Sequence, residues 1–134
     1  MAADELYRLA REALSRAHAP YSGFAVGAAL RTKDGATFSG ANMENVAFPE
    51  GWCAETSALA HMVMAGYSEP GCLNEVAVVA PLKDRITPCG GCRQRLREFG
   101  SPETAVHLCD QNGVVETVTL NDLLPLAFSD LPPK

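Results

Sequence analysis

Residues 53–66, Cys53-Ala54-Glu55-Thr56-Ser57-Ala58-Leu59-Ala60-His61-Met62-Val63-Met64-Ala65-Gly66, and residues 88–100, Pro88-Cys89-Gly90-Gly91-Cys92-Arg93-Gln94-Arg95-Leu96-Arg97-Glu98-Phe99-Gly100, share one design. Each has a cysteine at or next to its start and breaks at a glycine. The first is rich in Ala, Leu and Met, which predicts a buried helix over 54–65. In the second, Arg93 to Phe99 continues as an amphipathic helix that stops at Gly100. Between them, 75–80 is short and Val-rich, a buried strand.

The flanks extend this pattern. Leu6, Leu9, Ala10, Ala13, Leu14 and Ala17 recur at spacings of three and four, marking one apolar face of a helix over 3–17. Asp4 and Glu5 favour its start and Pro20 ends it. Lys33-Asp34-Gly35 between the extended runs 24–32 and 36–42 reads as a β-hairpin. Two more strands, 104–108 and 114–119, flank a turn at Asp110-Gln111-Asn112-Gly113. A short helix over 120–128 closes the chain, bounded by Pro132-Pro133. The order α-β-β-α-β-α-β-β-α predicts an α/β protein: a three-layer α-β-α sandwich around a mixed five-stranded sheet, one domain over 1–134.

A chain of 134 residues can bury most of its unfolded surface without disulfides, and 47% hydrophobic residues suit an ordinary core. A net charge of −5 provides no broad positive field, which argues against a DNA or RNA binder and favours a small-molecule substrate. No apolar run approaches the ~20 residues of a membrane span, and the acidic beginning is unlike a signal peptide, so a cytoplasmic location is expected. Five cysteines are an odd number, and two of them have CxxC spacing, so metal binding or free thiols explain them better than a secreted disulfide framework.

Cys53, Cys89 and Cys92 supply three zinc-binding sulfurs, and Glu55 a free carboxylate beside them. Three protein ligands leave one tetrahedral position for water, whereas a structural zinc site normally closes all four. Both segments sit at predicted helix starts, where free N–H groups and the helix dipole stabilise thiolates. Three thiolates on Zn²⁺ carry a net −1, which opposes ionising a bound water, and Arg93 is the nearest cation in sequence to offset it. Zinc can bring the pKa of a bound water to ~7 in a favourable site. Glu55 is placed to take that proton and pass it to a ring nitrogen or leaving amine, work usually worth ~10²–10⁴-fold.

The rival readings are a thioredoxin-like redox pair, which would leave Cys53 and Glu55 idle, and a closed zinc knuckle. The knuckle would take its fourth ligand from Cys72, Cys109, His18, His61 or His107, none of which stands at ligand spacing beside the motif. Cys72 and Cys109 have apolar neighbours and read as buried thiols.

The arrangement resembles zinc nucleobase deaminases of the three-cysteine kind, with glutamate as proton shuttle. Across nearly its whole length the chain further resembles the small homotetrameric cytidine deaminases. The matching blocks are Tyr21-Ser22-x-Phe24-x-Val26-Gly27-Ala28-Ala29-Leu30, Gly40-x-Asn42-x-Glu44-Asn45, Cys53-Ala54-Glu55, Pro88-Cys89-Gly90-x-Cys92-Arg93-Gln94 and Leu123-Leu124-Pro125-x-x-Phe128. The resemblance implies one Zn²⁺ per chain on Cys53, Cys89 and Cys92, with hydroxide attacking C4 of the base and Glu55 as catalytic residue. It implies substrate contacts from Asn42 and Glu44 to the ribose, Phe24 to the nucleoside, the Ala54 N–H to the pyrimidine carbonyl, and Phe128 to a neighbouring subunit's pocket. Asn42 and Glu44 are two positions apart at a strand end and so point the same way, which agrees with that role. The expected activity is conversion of cytidine and 2′-deoxycytidine to uridine and 2′-deoxyuridine in pyrimidine salvage. The alternatives are a blasticidin S-type antibiotic deaminase and a catalytically silent zinc scaffold. The chain departs from the family pattern at Thr56, where many relatives carry Arg, at Phe48, commonly Tyr, and at Trp52, usually aliphatic.

Overall fold

The structure, a computed structural model, describes residues 2–132. A five-stranded sheet has the order β2-β1-β3-β4-β5, built from β1 (Gly27–Thr32), β2 (Thr37–Ala41), β3 (Leu73–Val79), β4 (Ala105–Asp110) and β5 (Gly113–Thr119). Only the β3–β4 pair is parallel, so the sheet is mixed. That pair needs a crossover, which α3 (Gly90–Phe99) supplies. Helix α1 (Ala2–Leu14) precedes the sheet and α2 (Ala54–Met64) links β2 to β3.

Side chains alternate across the sheet, and this sorts the core into two layers. On one face Leu30, Val76, Val78, Val106 and Leu108 pack with Met62 of α2 and Leu96 of α3. On the other, Ala29, Ala77, Val79 and Cys109 meet Leu6 and Ala10 of α1. The helices therefore lie on both faces, as the sequence pattern implies. Small residues at 28, 29 and 77 allow close helix approach, and Gly27 is extreme: a Cβ there would stand 2.1 Å from the Ala10 carbonyl oxygen.

Three element boundaries depart from the sequence reading by three residues or more, each for a local reason, and the others shift by one or two. The first helix stops at Leu14 instead of 17, because Arg16 and Ala17 donate to the carbonyls three residues back (2.9 and 3.1 Å), a tighter turn. The first strand begins at Gly27 instead of 24: the Val26 N–H and the Phe24 carbonyl are taken by the Asn42 side chain instead of a neighbouring strand. The last helix, α4 (Leu120–Leu123), has four residues instead of reaching 128. Its Thr119–Asp122 capping box starts it well, but Pro125 drives Leu124 out of helical geometry, at φ −144°, and the chain leaves as irregular backbone. The expected Pro132-Pro133 boundary runs into Pro133, outside the described residues.

Candidate metal centre and substrate pocket

Sheet register gathers the site. Gly27 pairs with Ala41 on one side and with Val79 on the other, so the chain entering β1 and the chains leaving β2 and β3 open at the same edge. Beyond β2, Met43 and Trp52 exchange backbone hydrogen bonds of 2.9 and 2.8 Å, holding Trp52 beside the start of α2. Gly40 seats that helix: a Cβ would come 2.4 Å from the Ala58 nitrogen, so only glycine permits this approach. Cys53 and Cys89 are the N-cap residues of α2 and α3, in extended conformation with no side-chain cap bond. Their sulfurs are thereby left to face one another across two helix N-termini.

The Sγ atoms of Cys53, Cys89 and Cys92 lie within 4.8 Å of one another, and Cys53 and Cys89 are 3.7 Å apart. Tetrahedral zinc with Zn–S bonds of ~2.3 Å requires sulfur separations of about 3.8 Å, so the donor set fits zinc. The hydrogen bond between Cys53 and Cys92 holds the first thiol below its ordinary value and pushes the second up, with burial adding to the rise at Cys92. The pair thus yields its first proton more readily than its second. Cys109 is buried in the α1 layer, which pushes its thiol up to about 12, and burial also raises Cys72. Neither belongs to the sulfur cluster. His61 bonds the Ser39 carbonyl, and His107 lies between Thr117 and Glu75.

The cation at the sulfurs is not the one the sequence order pointed to. Arg93 donates to the carbonyls of Pro88 (2.8 Å) and Leu123 (2.9 Å), tying α3 to α4. Arg95 places Nη1 3.7 Å from the Cys92 sulfur, and the Thr56 hydroxyl stands 3.7 Å from the same atom. The i to i+3 relation of Cys92 and Arg95 on one helix was the available signal.

Glu55, in the first turn of α2, is 4% exposed. Burial raises its pKa, while its own backbone, the Cys92 thiol and the Arg95 charge act in the opposite direction. Its carboxylate is not part of the three-sulfur group, yet it lines the same pocket as Cys53, Ala54 and Cys89.

That pocket, of about 650 Å³, also takes in Phe24, Asn42 and Glu44. Asn42 and Glu44 organise its wall. Asn42 Nδ2 donates to the Phe24 carbonyl (2.8 Å) and its Oδ1 accepts from the Val26 N–H (2.9 Å). Glu44 accepts from the N–H groups of Tyr21 (2.9 Å) and Ser22 (3.1 Å) and from the Ser22 hydroxyl. The Ser22 hydroxyl bond is the first cause of the lowered Glu44 pKa. Both side chains retain hydrogen-bonding capacity: Asn42 a second amide hydrogen, Glu44 a further lone pair. Phe128 does not line the pocket; it is 69% exposed, and its carbonyl accepts from Gln94 (2.7 Å). Sequence reasoning passed over Ile86 and Thr87, which also line the pocket; their one signal is position, just before Pro88-Cys89.

A three-thiolate zinc centre at two helix N-termini, opening on a pocket with a buried carboxylic acid, defines the class as a zinc enzyme of an α/β/α sandwich. The model of the cytidine and deoxycytidylate deaminase zinc-binding region matches residues 1–108. A cytidine deaminase of Halalkalibacterium halodurans is 40% identical over 124 residues, 92% of each chain. One from Mycobacterium tuberculosis is 38% identical over 125 residues, 92% of this chain and 88% of the relative. The crystal structure of cytidine deaminase from Burkholderia pseudomallei superposes with a TM-score of 0.87 at 44% identity, covering 92% of this chain and 97% of that one. The chain belongs to the cytidine and deoxycytidylate deaminase zinc-binding family.

Proposed function

We propose that this protein deaminates cytidine and 2′-deoxycytidine hydrolytically, giving uridine or 2′-deoxyuridine and ammonia, as a step of pyrimidine salvage. The observation that carries the reading is the convergence of three zinc-ligating sulfurs and a separate buried carboxyl on one pocket of nucleoside size. Zinc, held by Cys53, Cys89 and Cys92, supplies the Lewis acidity that makes water nucleophilic near neutral pH.

The remaining work belongs to the protein's own groups. Glu55 accepts one proton from the attacking water and delivers it to N3 of the pyrimidine. It then takes the remaining proton from the oxygen now bonded to C4 and gives it to the amino group, which leaves as ammonia while the C4 carbonyl forms. Burial suits it to this exchange, because a raised pKa brings its acid and base forms closer to equal cost at working pH. The Ala54 N–H donates to the pyrimidine carbonyl, and Phe24 packs along the nucleoside. The spare amide hydrogen of Asn42 and the remaining lone pair of Glu44 bind sugar hydroxyls. Free cytosine would leave both unanswered in the pocket, so it is a poor substrate. Glu44 accepting from the 3′-hydroxyl tolerates loss of the 2′-hydroxyl and disfavours a polymer.

The whole chain, 1–134, acts as one catalytic domain in the cytoplasm, where reducing conditions keep the ligand thiols free. It assembles as a homotetramer in which Phe128 reaches a neighbour's pocket; its exposure and that of Leu126 support this reading. Following the loss of cytidine absorbance with zinc-loaded protein, beside deoxycytidine, cytosine and blasticidin S, tests the function. Turnover of both nucleosides but not cytosine is expected. Turnover of blasticidin S alone, or of nothing despite one zinc per chain, would reject it.

A further inference from the structure

We propose that Arg95 is a positioning residue for the metal centre, offsetting the excess thiolate charge through Cys92, and that Gly91 provides its seat. The proposal rests on Cys53, Cys89 and Cys92 holding zinc, but not on which substrate is turned over. Three thiolates on one Zn²⁺ leave a charge of −1 in a site where Cys92 has no solvent exposure. Water therefore cannot solvate that sulfur, and compensation has to come from protein groups. Three are in place. The N-terminus of α3 contributes its dipole, with Cys92 in its first turn. The Thr56 hydroxyl, 3.7 Å from Cys92 Sγ, adds a neutral hydrogen bond. Arg95 adds a full positive charge, with Nη1 also 3.7 Å from that sulfur.

Gly91 leaves room for the approach of Arg95. A Cβ at position 91 would lie 3.1 Å from Arg95 Nη1 and 3.6 Å from Cζ, in the space the guanidinium fills as it folds back along α3 toward Cys92. Arg95 thus acts on a ligand sulfur, while Arg93 is committed to the backbone carbonyls of Pro88 and Leu123.

The test replaces zinc with Co²⁺ and follows the thiolate-to-metal charge-transfer band, together with zinc loss to a chelator. A cationic donor on the sulfur lowers the energy of its lone pairs. Arg95→Met is therefore expected to move the band to lower energy and to speed zinc loss roughly tenfold, the scale of one charged hydrogen bond. In nucleoside assays its kcat falls while KM holds, because Arg95 is not among the residues lining the pocket. Arg95→Lys should restore most of the band position. Gly91→Ala replaces a glycine in the first turn of α3 by a better helix former, so the fold is retained, and its methyl nudges the guanidinium to give a smaller shift in the same direction. If Arg95→Met and Gly91→Ala leave both the band and zinc loss unchanged, the assignment is wrong even where deaminase activity is present.

Discussion

Asn42 and Glu44 each serve the fold before they serve a ligand. Asn42 replaces a missing strand partner for residues 24–26, and Glu44 collects three donors from Tyr21 and Ser22, so the residues that would grip a sugar also shape the wall it binds against. Glu44→Gln keeps the shape but gives up the charge that those donors favour. It is expected to raise the nucleoside KM by about tenfold, the cost of roughly one charged hydrogen bond, with a smaller change in kcat. An unchanged KM would remove Glu44 from the sugar site. The pH dependence has a definite sign. The folded-state pKa of Glu44 lies below its ordinary 4.5, because the Ser22 hydroxyl, and the backbone N–H groups behind it, favour the carboxylate over the acid. Its stabilisation is then complete well above pH 4.5 and is lost as pH falls through the lowered value. Melting temperatures of wild type and Glu44→Gln should therefore differ by a constant amount near neutrality and converge in acid. A gap that widens on acidification would reverse the assignment.

The elements show why the architecture was readable in advance and some of the site was not. Helices α2 and α3 announce themselves through their cysteine starts, apolar spacing and terminal glycines, and the strand alternation at Val76 to Val79 matches both core layers. Those signals are local, and their periodicity survives folding. What sequence spacing could not supply was the direction of long side chains. Arg93 and Arg95 are two residues apart on a helix and so point to different faces, and only the packed structure sends one to carbonyls and the other to sulfur. Likewise the apolar run 120–128 carried a helix pattern, but Pro125 overrode it. Gly40 is the element-scale test of how the centre is built. Gly40→Ala would force α2 away from β2, because its methyl would stand 2.4 Å from the Ala58 nitrogen. A loss of about 1–3 kcal/mol in urea unfolding is expected, with lower zinc occupancy, since α2 carries Cys53. Full stability and full occupancy would show that the close approach is dispensable.

At the scale of the whole molecule, one edge of the sheet carries the chemistry and much of the uncovered apolar surface. Phe48 (71% exposed) and Trp52 (47%) rim the pocket, while Leu126 and Phe128 stand clear of the body on the short C-terminal segment. Phe48 contacts only the edge of Tyr21 among the described aromatic rings, at 5.8 Å between centroids. Covering such groups with further copies of the chain would complete the pocket wall, and light scattering of the zinc-loaded protein should give a tetramer. A monomer at micromolar concentration would exclude a pocket shared between subunits. The proposed function divides the work: three thiolates hold the metal while a separate carboxyl moves the protons. Zinc content and cytidine turnover measured side by side on wild type and Glu55→Gln test it most directly. One zinc per chain in both proteins, with turnover reduced at least ~10²-fold in the variant, is the predicted result. Turnover in Glu55→Gln close to wild type, or a wild-type protein active without zinc, would rule out this division of labour.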